Sequence, residues 1–379
     1  MLTLFFLWLC DRRVCLQYGL SFLDGRLSQA IRNQPDWQRL TGYLQEVVSP
    51  QAEIINQEIQ ALGSCLQGLG DRQLLGLKIP QQFGGSGFST IEYSLANTAI
   101  ARVSGILAFL QTQHQSAGGM IARFGSVSQQ EFLPKMVTGE LKIGVGFSHL
   151  RRQGKPIVRV IAATNGYLLT GTIPWITGYG FFQKAIAGAT LPNGDELYGF
   201  IPLKNAQQST GGSIDCGEPL QLAAMGMSQT VAVKLDQWFL AAEDVLVLKP
   251  AGSIQKGDRQ NVLKHGFFAL GCAYGSLDFL QTKLDESQFQ LLQTRLDDLK
   301  SQIISALEKE NPDFDEQLSL RIKVVAIAQE FSQLALMSSG GGGNVKTHPA
   351  QRLYREALMF SIFGQTQTIR NATLQTLIR

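Results

Sequence analysis

The order in which two kinds of sequence pattern follow one another constrains the fold of this chain most. Apolar residues recur at three- and four-residue intervals in the first third of the chain and again in the last third, as in TIEYSLANTAIARVSGILAFL, which is typical of helices. Between them the pattern changes to alternation around two Asn-Gly pairs, Asn165-Gly166 and Asn193-Gly194, the strongest short-range signal for a β-hairpin. The run TVAVKLDQWFL (230–240) alternates as well. The sequence therefore predicts an α+β fold, with helices on both sides of a small antiparallel β domain, a barrel or a sandwich.

The changes of pattern also predict the domain boundaries. We expect four segments: an apolar N-terminal extension (1–15), an N-terminal α-helical domain (16–142), a middle β domain (143–250) and a C-terminal helical bundle (251–379). The extension MLTLFFLWLC has ten apolar-rich residues, whereas a membrane span needs about 20. A secretory signal would carry positive charge before its apolar run, and here the charges follow it. We therefore expect a disordered or helical extension and no membrane span.

Composition excludes several classes of function. The net charge of +3 arises from interspersed Lys and Arg without dense basic runs, so nucleic acid is not an expected partner. Five cysteines without a C-x-x-C pair indicate neither a disulfide framework nor a zinc site, which favours a reducing compartment and a cytoplasmic location. Because no two of the four histidines stand at i, i+4 spacing, we expect no metal centre.

The stretch GTIPWITGYG (171–180) carries the first candidate for a binding site. Residues i and i+2 of a strand point to the same face, so the Trp175 indole and the Thr177 hydroxyl would stand side by side. Trp, Ile and Thr also pack well on any half-buried sheet. The stretch alone is therefore compatible with a ligand surface and with ordinary packing.

Several segments together resemble the acyl-CoA dehydrogenase family. They are IPQQFGGSG (79–87), IARFG with FLPKMVTGE (121–140), GTIPWITG (171–178), AAMGM (223–227), and GGGGN with HPAQRLYREA (340–357). The resemblance covers roughly residues 75–379. It implies an N-terminal helical domain, a middle β domain and a C-terminal four-helix bundle.

The same resemblance implies an FAD site. In the family the matching Trp lies against the flavin ring and the matching Thr hydroxyl reaches flavin N5, where a hydrogen-bond donor tunes the electrophile. Glycines matching Gly340 and Gly341 let the backbone approach the cofactor of a neighbouring subunit, although the glycine run could instead be a flexible linker. The residues implied to bind the cofactor are Phe147, Ser148, Trp175, Ile176, Thr177, Gln290, Gly340, Gly341, Thr366 and Gln367.

The chain departs from the family where the catalytic base should be. Acyl-CoA dehydrogenases remove an α-proton with a glutamate, whereas Gly364 stands at that position and Asn261 at the position used by a subset of the family. Neither residue can take a proton. His265 is expected one helical turn after Asn261, so it is either a replacement base or a buried, hydrogen-bonded structural histidine.

Other polar residues are expected to have structural or solvent-facing roles. Arg151, Arg152 and Lys155 form a basic loop that either binds the phosphates of a ligand or faces solvent. His114 is expected to pack a loop. The resemblance implies that Arg355 and Glu356 form an ion pair that locks a loop to a helix.

The resulting functional hypothesis is an FAD-dependent oxidoreductase of acyl-CoA dehydrogenase type that transfers a hydride from an acyl thioester-like substrate to flavin N5. A flavin-dependent monooxygenase on the same fold needs no glutamate base and is the alternative, and a non-catalytic descendant is the third possibility. The resemblance implies an electron-transfer flavoprotein or a flavin reductase as partner. It also implies a homodimer or homotetramer.

Overall fold

The computed structural model describes residues 26–209 and 211–378, so the predicted extension at 1–15 lies outside the described residues. The N-terminal part is helical. Its α-helices are, in chain order, α1 (Arg26–Arg32), α2 (Pro35–Tyr43), α3 (Ala52–Ile55), α4 (Ile59–Asp71), α5 (Thr90–Val103), α6 (Gly105–Phe124), α7 (Val127–Gln130) and α8 (Phe132–Thr138). Helix α5 begins with a capping box, in which Ser89 and Glu92 each accept a hydrogen bond from the backbone N–H of the other residue.

A sheet follows the N-terminal helices. Its strands are β1 (Ile143–Gly146), β2 (Val158–Ala163), β3 (Gly166–Ile176), β4 (Lys184–Thr190), β5 (Glu196–Pro202), β6 (Ala206–Gln207), β7 (Ser213–Cys216), β8 (Val231–Ala241) and β9 (Val245–Lys249). Their spatial order is β6-β7-β8-β3-β2-β4-β5-β9, with β1 beside β4. The prediction of an antiparallel sheet is wrong in part, because β4 pairs in parallel with both β1 and β2.

The two hairpins expected at the Asn-Gly pairs are present. Strand β2 pairs antiparallel with β3 across a tight turn in which Asn165 takes a left-handed conformation (φ 59°), and Gly166 is already the first residue of β3. Strand β4 pairs antiparallel with β5 across a turn that contains Asn193 and Gly194 (φ 90°). These turn residues suit their positions because Asn and Gly tolerate positive φ.

The C-terminal part returns to helices. They are α9 (Ser253–Gln260), α10 (Gly266–Leu280), α11 (Glu286–Glu308), α12 (Phe314–Ser338), α13 (Pro349–Ile362) and α14 (Gln367–Leu377). Helices α10 to α13 pack on one another as a bundle, and α10 also packs against α5 of the N-terminal part. Helix α10 is accordingly apolar on all sides, from Phe267 to Leu277.

One large apolar core joins the three parts of the chain. It contains Leu95 and Leu107 of the N-terminal helices, Leu169 and Val233 of the sheet, and Phe331 of the bundle, all nearly inaccessible to solvent. Burial of this kind is the main source of fold stability. Among the described residues, the helices are all too short or too polar to cross a membrane.

Candidate active site

The candidate flavin surface is built on a β-bulge in β3. Ile173 pairs with Val233 and Ile176 with Val231, so β3 takes three residue steps where β8 takes two. The additional residue falls at Pro174-Trp175, where proline is tolerated because a bulge leaves a backbone N–H without a ladder partner. The side chain of Ile176 is fully buried, whereas that of Trp175 is 45% exposed. The bulge therefore presents a large indole to solvent at the end of a strand.

The hydroxyl of Thr177 lies in a small buried polar group next to this indole. Thr177 is only 6% exposed, and its Oγ1 atom is 2.9 Å from Oγ1 of Thr230, which in turn is 3.3 Å from Oγ of Ser228. Gly178 follows with φ 96°, a conformation that glycine adopts without strain. Each of the three hydroxyls can donate or accept, so the direction of the hydrogen bonds in this chain can reverse.

The loop after β1 lies beside the same strand end. Gly146, the last residue of β1, contacts the side chain of Ile176 so closely that a Cβ atom there would be 2.6 Å from it. Phe147 follows and packs edge-on against Tyr198, with ring centroids 5.3 Å apart, and Ser148 is exposed. The structure thus brings the two halves of the predicted flavin surface, residues 147–148 and 175–177, together.

His149 leaves one acceptor without a partner in this loop. Its Nε2 atom is 3.0 Å from the carbonyl oxygen of Gly188 and therefore carries the hydrogen and donates. The Nδ1 atom is buried and has no hydrogen-bond partner among the described residues. Burial lowers the pKa of His149 to about 4, so the ring is neutral and Nδ1 can accept a hydrogen bond from a ligand.

The cofactor residues expected in the C-terminal bundle lie apart from this group. Gln290 is exposed and donates to Glu286 one turn earlier on α11, and Gly340 and Gly341 lie in an exposed turn after α12. Thr366 caps the start of α14 by accepting a hydrogen bond from Ile369, and the exposed Gln367 donates to Asn371. Among the described residues, no hydrogen bond joins these side chains to residues 147–148 or 175–177.

The space beside Gly364, where the catalytic base was expected, is filled from another element. Gly364 follows α13 with φ 65°, and a Cβ atom built on it would lie 2.6 Å from Nδ1 of His265. The prediction that His265 follows Asn261 on one helix is wrong, because α9 ends at Gln260 and α10 begins at Gly266. The Asn261 amide instead donates to the carbonyl oxygen of Gly257.

The His265 ring is held by aromatic contacts. Its centroid is 4.8 Å from that of Phe363, edge to face, and 6.5 Å from that of Phe268. Its nitrogens make no hydrogen bond to any described residue, so the hydrogen-bonded structural histidine considered from sequence is not what the structure contains. Burial and the positive charges around it lower the pKa of His265 to about 3, which leaves the ring neutral.

Sequence reasoning missed the cationic residues around His265. Arg321 of α12 is 1% exposed, and Lys78 and Lys264 are partly buried. The burial of Arg321 could have been recognised from the sequence of α12. Arg321 lies on the same buried helix face as Val324, where a charged residue is unusual. Lys78 lies between α4 and α5, and its sequence neighbourhood gave no sign of its burial.

The structure also places the residues of the predicted basic loop and the predicted loop-packing histidine. Arg151 does not simply face solvent, since its guanidinium forms a two-pronged ion pair with Asp258 of α9 (2.7 and 2.8 Å). Arg152 and Lys155 are exposed. His114, on α6, has a structural role on both sides of the loop between α8 and β1: it donates from Nε2 to the Met136 carbonyl and accepts at Nδ1 from the Ile143 N–H.

The expected pair of Arg355 and Glu356 is wrong. Neighbouring residues of a helix point in different directions, so Arg355 turns to the loop and donates to the carbonyl oxygen of Lys346. Glu356 is buried and pairs with Arg352, one turn earlier, at 3.1 Å. Arg352 also pairs with Glu53 at 2.7 Å, so this ion-pair group ties α13 to the N-terminal helices.

Comparisons with known proteins agree with this architecture. Residues 38–140 match the family model described as the acyl-CoA dehydrogenase N-terminal domain. The chain is 24% identical over 332 residues to the 3-sulfinopropanoyl-CoA desulfinase of Variovorax paradoxus, covering 79% of this chain and 82% of that protein. It is 22% identical over 360 residues to a subunit of the caffeyl-CoA reductase–Etf complex of Acetobacterium woodii, covering 86% and 93%.

A solved structure matches almost the whole fold. The glutaryl-CoA dehydrogenase of Mycobacterium smegmatis in complex with FADH2 superposes with a TM-score of 0.74 at 17% identity, over 96% of this chain and 97% of that one. Helical, sheet and bundle parts therefore follow one another as they do in that enzyme. Residues 38–140 thus match an acyl-CoA dehydrogenase N-terminal domain, and the chain as a whole is similar to acyl-CoA dehydrogenases in sequence and fold.

Proposed function

We propose that this chain is an FAD-dependent oxidoreductase of acyl-CoA dehydrogenase type that takes a hydride from an acyl thioester. The observation that carries the proposal is the β3 bulge, which leaves the Trp175 indole 45% exposed while Ile176 is fully buried. A flat ligand that covers this indole would gain free energy, since burying a large apolar side chain is favourable. A flat, apolar, tricyclic ring system such as that of a flavin has a shape that covers the Trp175 indole.

The residues at the bulge fit a flavin chemically. Trp175 offers a planar apolar face, and the hydroxyl group of Thr177, Thr230 and Ser228 offers a donor whose proton can be redirected within the chain of hydroxyls. The unpartnered Nδ1 of His149 offers an acceptor. When bound, the flavin would supply the hydride acceptor, its N5 atom. The protein would hold the ring, donate a hydrogen bond from Thr177 and keep water away from the face covered by Trp175.

The proton of the substrate needs a different acceptor from the usual glutamate. His265 is neutral and its Nδ1 lies beside Gly364, so it is the titratable group at the expected base position. Its low pKa makes it a weak base unless the surrounding positive charge is compensated. We infer that His265 is the candidate proton acceptor and that Asn261, turned back on α9, takes no part.

A flavin-dependent monooxygenase is the second candidate function. It is favoured by the absence of any carboxylate at positions 261 and 364, because a reaction that begins with oxygen needs no α-proton abstraction. A non-catalytic protein that retains the fold is the third. The three functions differ in whether the protein binds flavin, whether an acyl-CoA reduces that flavin, and whether turnover needs oxygen.

Anaerobic titration separates these functions. The purified protein, incubated with FAD and desalted, should be yellow, and an acyl-CoA added without oxygen should bleach the visible flavin band. If the flavin band bleaches only with a separate flavin reductase, and if turnover depends on oxygen, the monooxygenase would replace the proposed function. A protein that binds no flavin would support the third function, a non-catalytic protein that retains the fold.

We further propose that the protein is a homodimer or homotetramer and passes electrons to an electron-transfer flavoprotein. Tyr354, Leu358 and Ile362 stand four residues apart on α13 and are 44, 45 and 54% exposed, so they form an apolar stripe on one helix face. A second copy of the chain is the partner that would cover such a stripe. The Acetobacterium relative named as part of a reductase–Etf complex supports the choice of electron acceptor.

A further inference from the structure

Arg321 is a buried cation whose hydrogen-bonding capacity is only partly used. Its Nη2 group donates to the carbonyl oxygen of Phe363 at 2.7 Å and to that of Phe360 at 3.4 Å, at the end of α13. Its Nε and Nη1 groups are buried and have no partner among the described residues. A buried N–H that makes no hydrogen bond costs free energy, and more so on a charged group. Something outside the described chain should therefore accept from these two groups.

Two lysines extend this cationic region. The ammonium group of Lys78 lies 5.3 Å from the centre of the Tyr93 ring and would be 3.2 Å from a Cβ atom on Gly119. No hydrogen bond or ion pair links the ammonium groups of Lys78 and Lys264 to another described residue. The pKa of Lys78 falls to about 8, first through burial and second through the positive charge of Lys264.

Two of these cations lie next to His265: Lys264 precedes it in the chain, and Arg321 donates to the carbonyl oxygen of Phe363, whose ring centroid is 4.8 Å from that of His265. Arg321, Lys264 and Lys78 all act on its pKa, and all lower it. Arg151 also contributes, but its charge is already paired with Asp258. No carboxylate acts on His265, so the base position of this chain is surrounded by positive charge without a compensating anion among the described residues.

We propose that Lys78, Lys264 and Arg321 form an oxyanion-binding subsite beside His265, and that the substrate carries a carboxylate or similar anion on its acyl group. The thioester part of this proposal rests on the proposed function; the anion subsite rests on the unpartnered donors alone. An anion between these cations would satisfy the free Nε and Nη1 groups and offset the repulsion between the lysines. It would also raise the pKa of His265 towards its ordinary value and so make it a better proton acceptor.

The test compares two thioesters that differ by one charge. Succinyl-CoA and butyryl-CoA have four-carbon acyl groups that end in a carboxylate and in a methyl group, respectively. Isothermal titration of the FAD-loaded protein should show that succinyl-CoA binds about tenfold more tightly, as a charge-assisted hydrogen bond predicts. The preference should largely disappear in Lys78→Gln and in Arg321→Gln. Lys323→Gln removes an exposed positive charge two residues from Arg321 and should leave the preference for succinyl-CoA unchanged.

Each outcome decides the proposal. Equal binding of the two thioesters by the unaltered protein would overturn the subsite and leave thioester binding intact. If neither thioester binds, the substrate part of the proposed function fails. The subsite is then tested by comparing the melting temperature of the protein in sodium succinate with that in sodium chloride of equal ionic strength. A rise in melting temperature that Lys78→Gln abolishes would support it, whereas no difference between the two salts would overturn it. Lys78→Gln keeps the test valid should Arg321→Gln fail to fold.

Discussion

The imidazole of His265 occupies the space that any side chain at position 364 would need, since a Cβ atom on Gly364 would lie 2.6 Å from Nδ1 and 2.7 Å from Cγ of that ring. A side chain at position 364, glutamate included, therefore does not fit while the His265 ring stays where it is.

This packing predicts the effect of substituting Gly364. Gly364→Ala should lower the free energy of unfolding by about 2–4 kcal/mol, because it combines a positive φ with overlap against the His265 ring. Gly341→Ala is the matched control, since a Cβ atom there meets nothing within 4 Å, and should change stability by less than about 0.5 kcal/mol. Urea denaturation measures both. Equal stabilities of the two variants would contradict the close contact.

The hydroxyl of Thr177 should matter for the flavin and not for the fold. Thr177→Val keeps the shape but removes the donor, so it should shift the flavin reduction potential and the visible band of the FAD-loaded protein. Thr177→Ser keeps the hydroxyl and should restore both. Potentiometric titration with a spectrum at each step measures the effect. Identical potentials in Thr177→Val and the unaltered protein would remove Thr177 from the site.

The buried ion-pair group predicts a stability effect far from the site. Glu356 accepts from Arg352 and from the backbone N–H of Gly105, so Glu356→Gln should destabilise the protein by about 3–5 kcal/mol by leaving Arg352 short of a partner. Glu330→Gln, which breaks the exposed pair with Arg295, is the control and should cost at most about 1 kcal/mol. Chemical denaturation at neutral pH compares them. A small effect at Glu356 would mean that Glu53 alone balances Arg352.

Stability should fall on mild acidification because of His114. Its pKa is about 4 in the folded state, lowered mainly by burial, against an unfolded value near 6.5. The unfolded chain therefore binds the proton more tightly, so the contribution of the neutral ring is complete above pH 6.5 and is lost as the pH falls towards 4, by roughly 3 kcal/mol. His114→Gln can replace both hydrogen bonds and should reduce the slope of unfolding free energy between pH 6.5 and 4, leaving the part that arises from His149 and His265. An unchanged slope would contradict the lowered pKa.

The apolar stripe on α13 predicts an oligomer. Leu358→Glu places a charge in the middle of the stripe and should lower the molar mass measured by light scattering from that of a dimer or tetramer towards that of a single chain. Val127→Glu changes an apolar residue that is 83% exposed outside the stripe and should leave the mass unchanged. An unaltered protein that is monomeric at micromolar concentration would rule out the interface.

Local patterns in the sequence were sufficient for the hairpins and for the order of helices and strands. Asn165 and Asn193 mark turns because the required backbone conformation depends on the residues in the turn itself. The parallel pairing of β1 with β4 could not be predicted in this way, since Ile143 and Lys184 are far apart in sequence and nothing local to β1 specifies its partner. The identity of the partner of Glu356 was missed for a geometric reason: the i−4 neighbour shares its helix face and the adjacent Arg355 does not.

The conformation of the chain at Trp175 could be predicted from sequence more readily than the surroundings of His265. The exposure of Trp175 depends on a bulge that Pro174 could have signalled, because proline inside a strand pattern indicates an edge or a bulge. The cations around His265 come from the loop before α5, the turn before α10 and the middle of α12. Only the folded chain brings these three segments together.

Binding of FAD by proteins altered at one indole tests the central claim most directly. In a titration followed by flavin fluorescence, Trp175→Ala should weaken binding at least about tenfold relative to the unaltered protein, because it removes the large planar surface against the ring. Ile161→Ala removes another exposed apolar side chain of the sheet, 56% exposed on β2, and should bind FAD as the unaltered protein does. Equal affinities of Trp175→Ala and the unaltered protein, or no binding by either, would contradict a flavin seated on the β3 bulge.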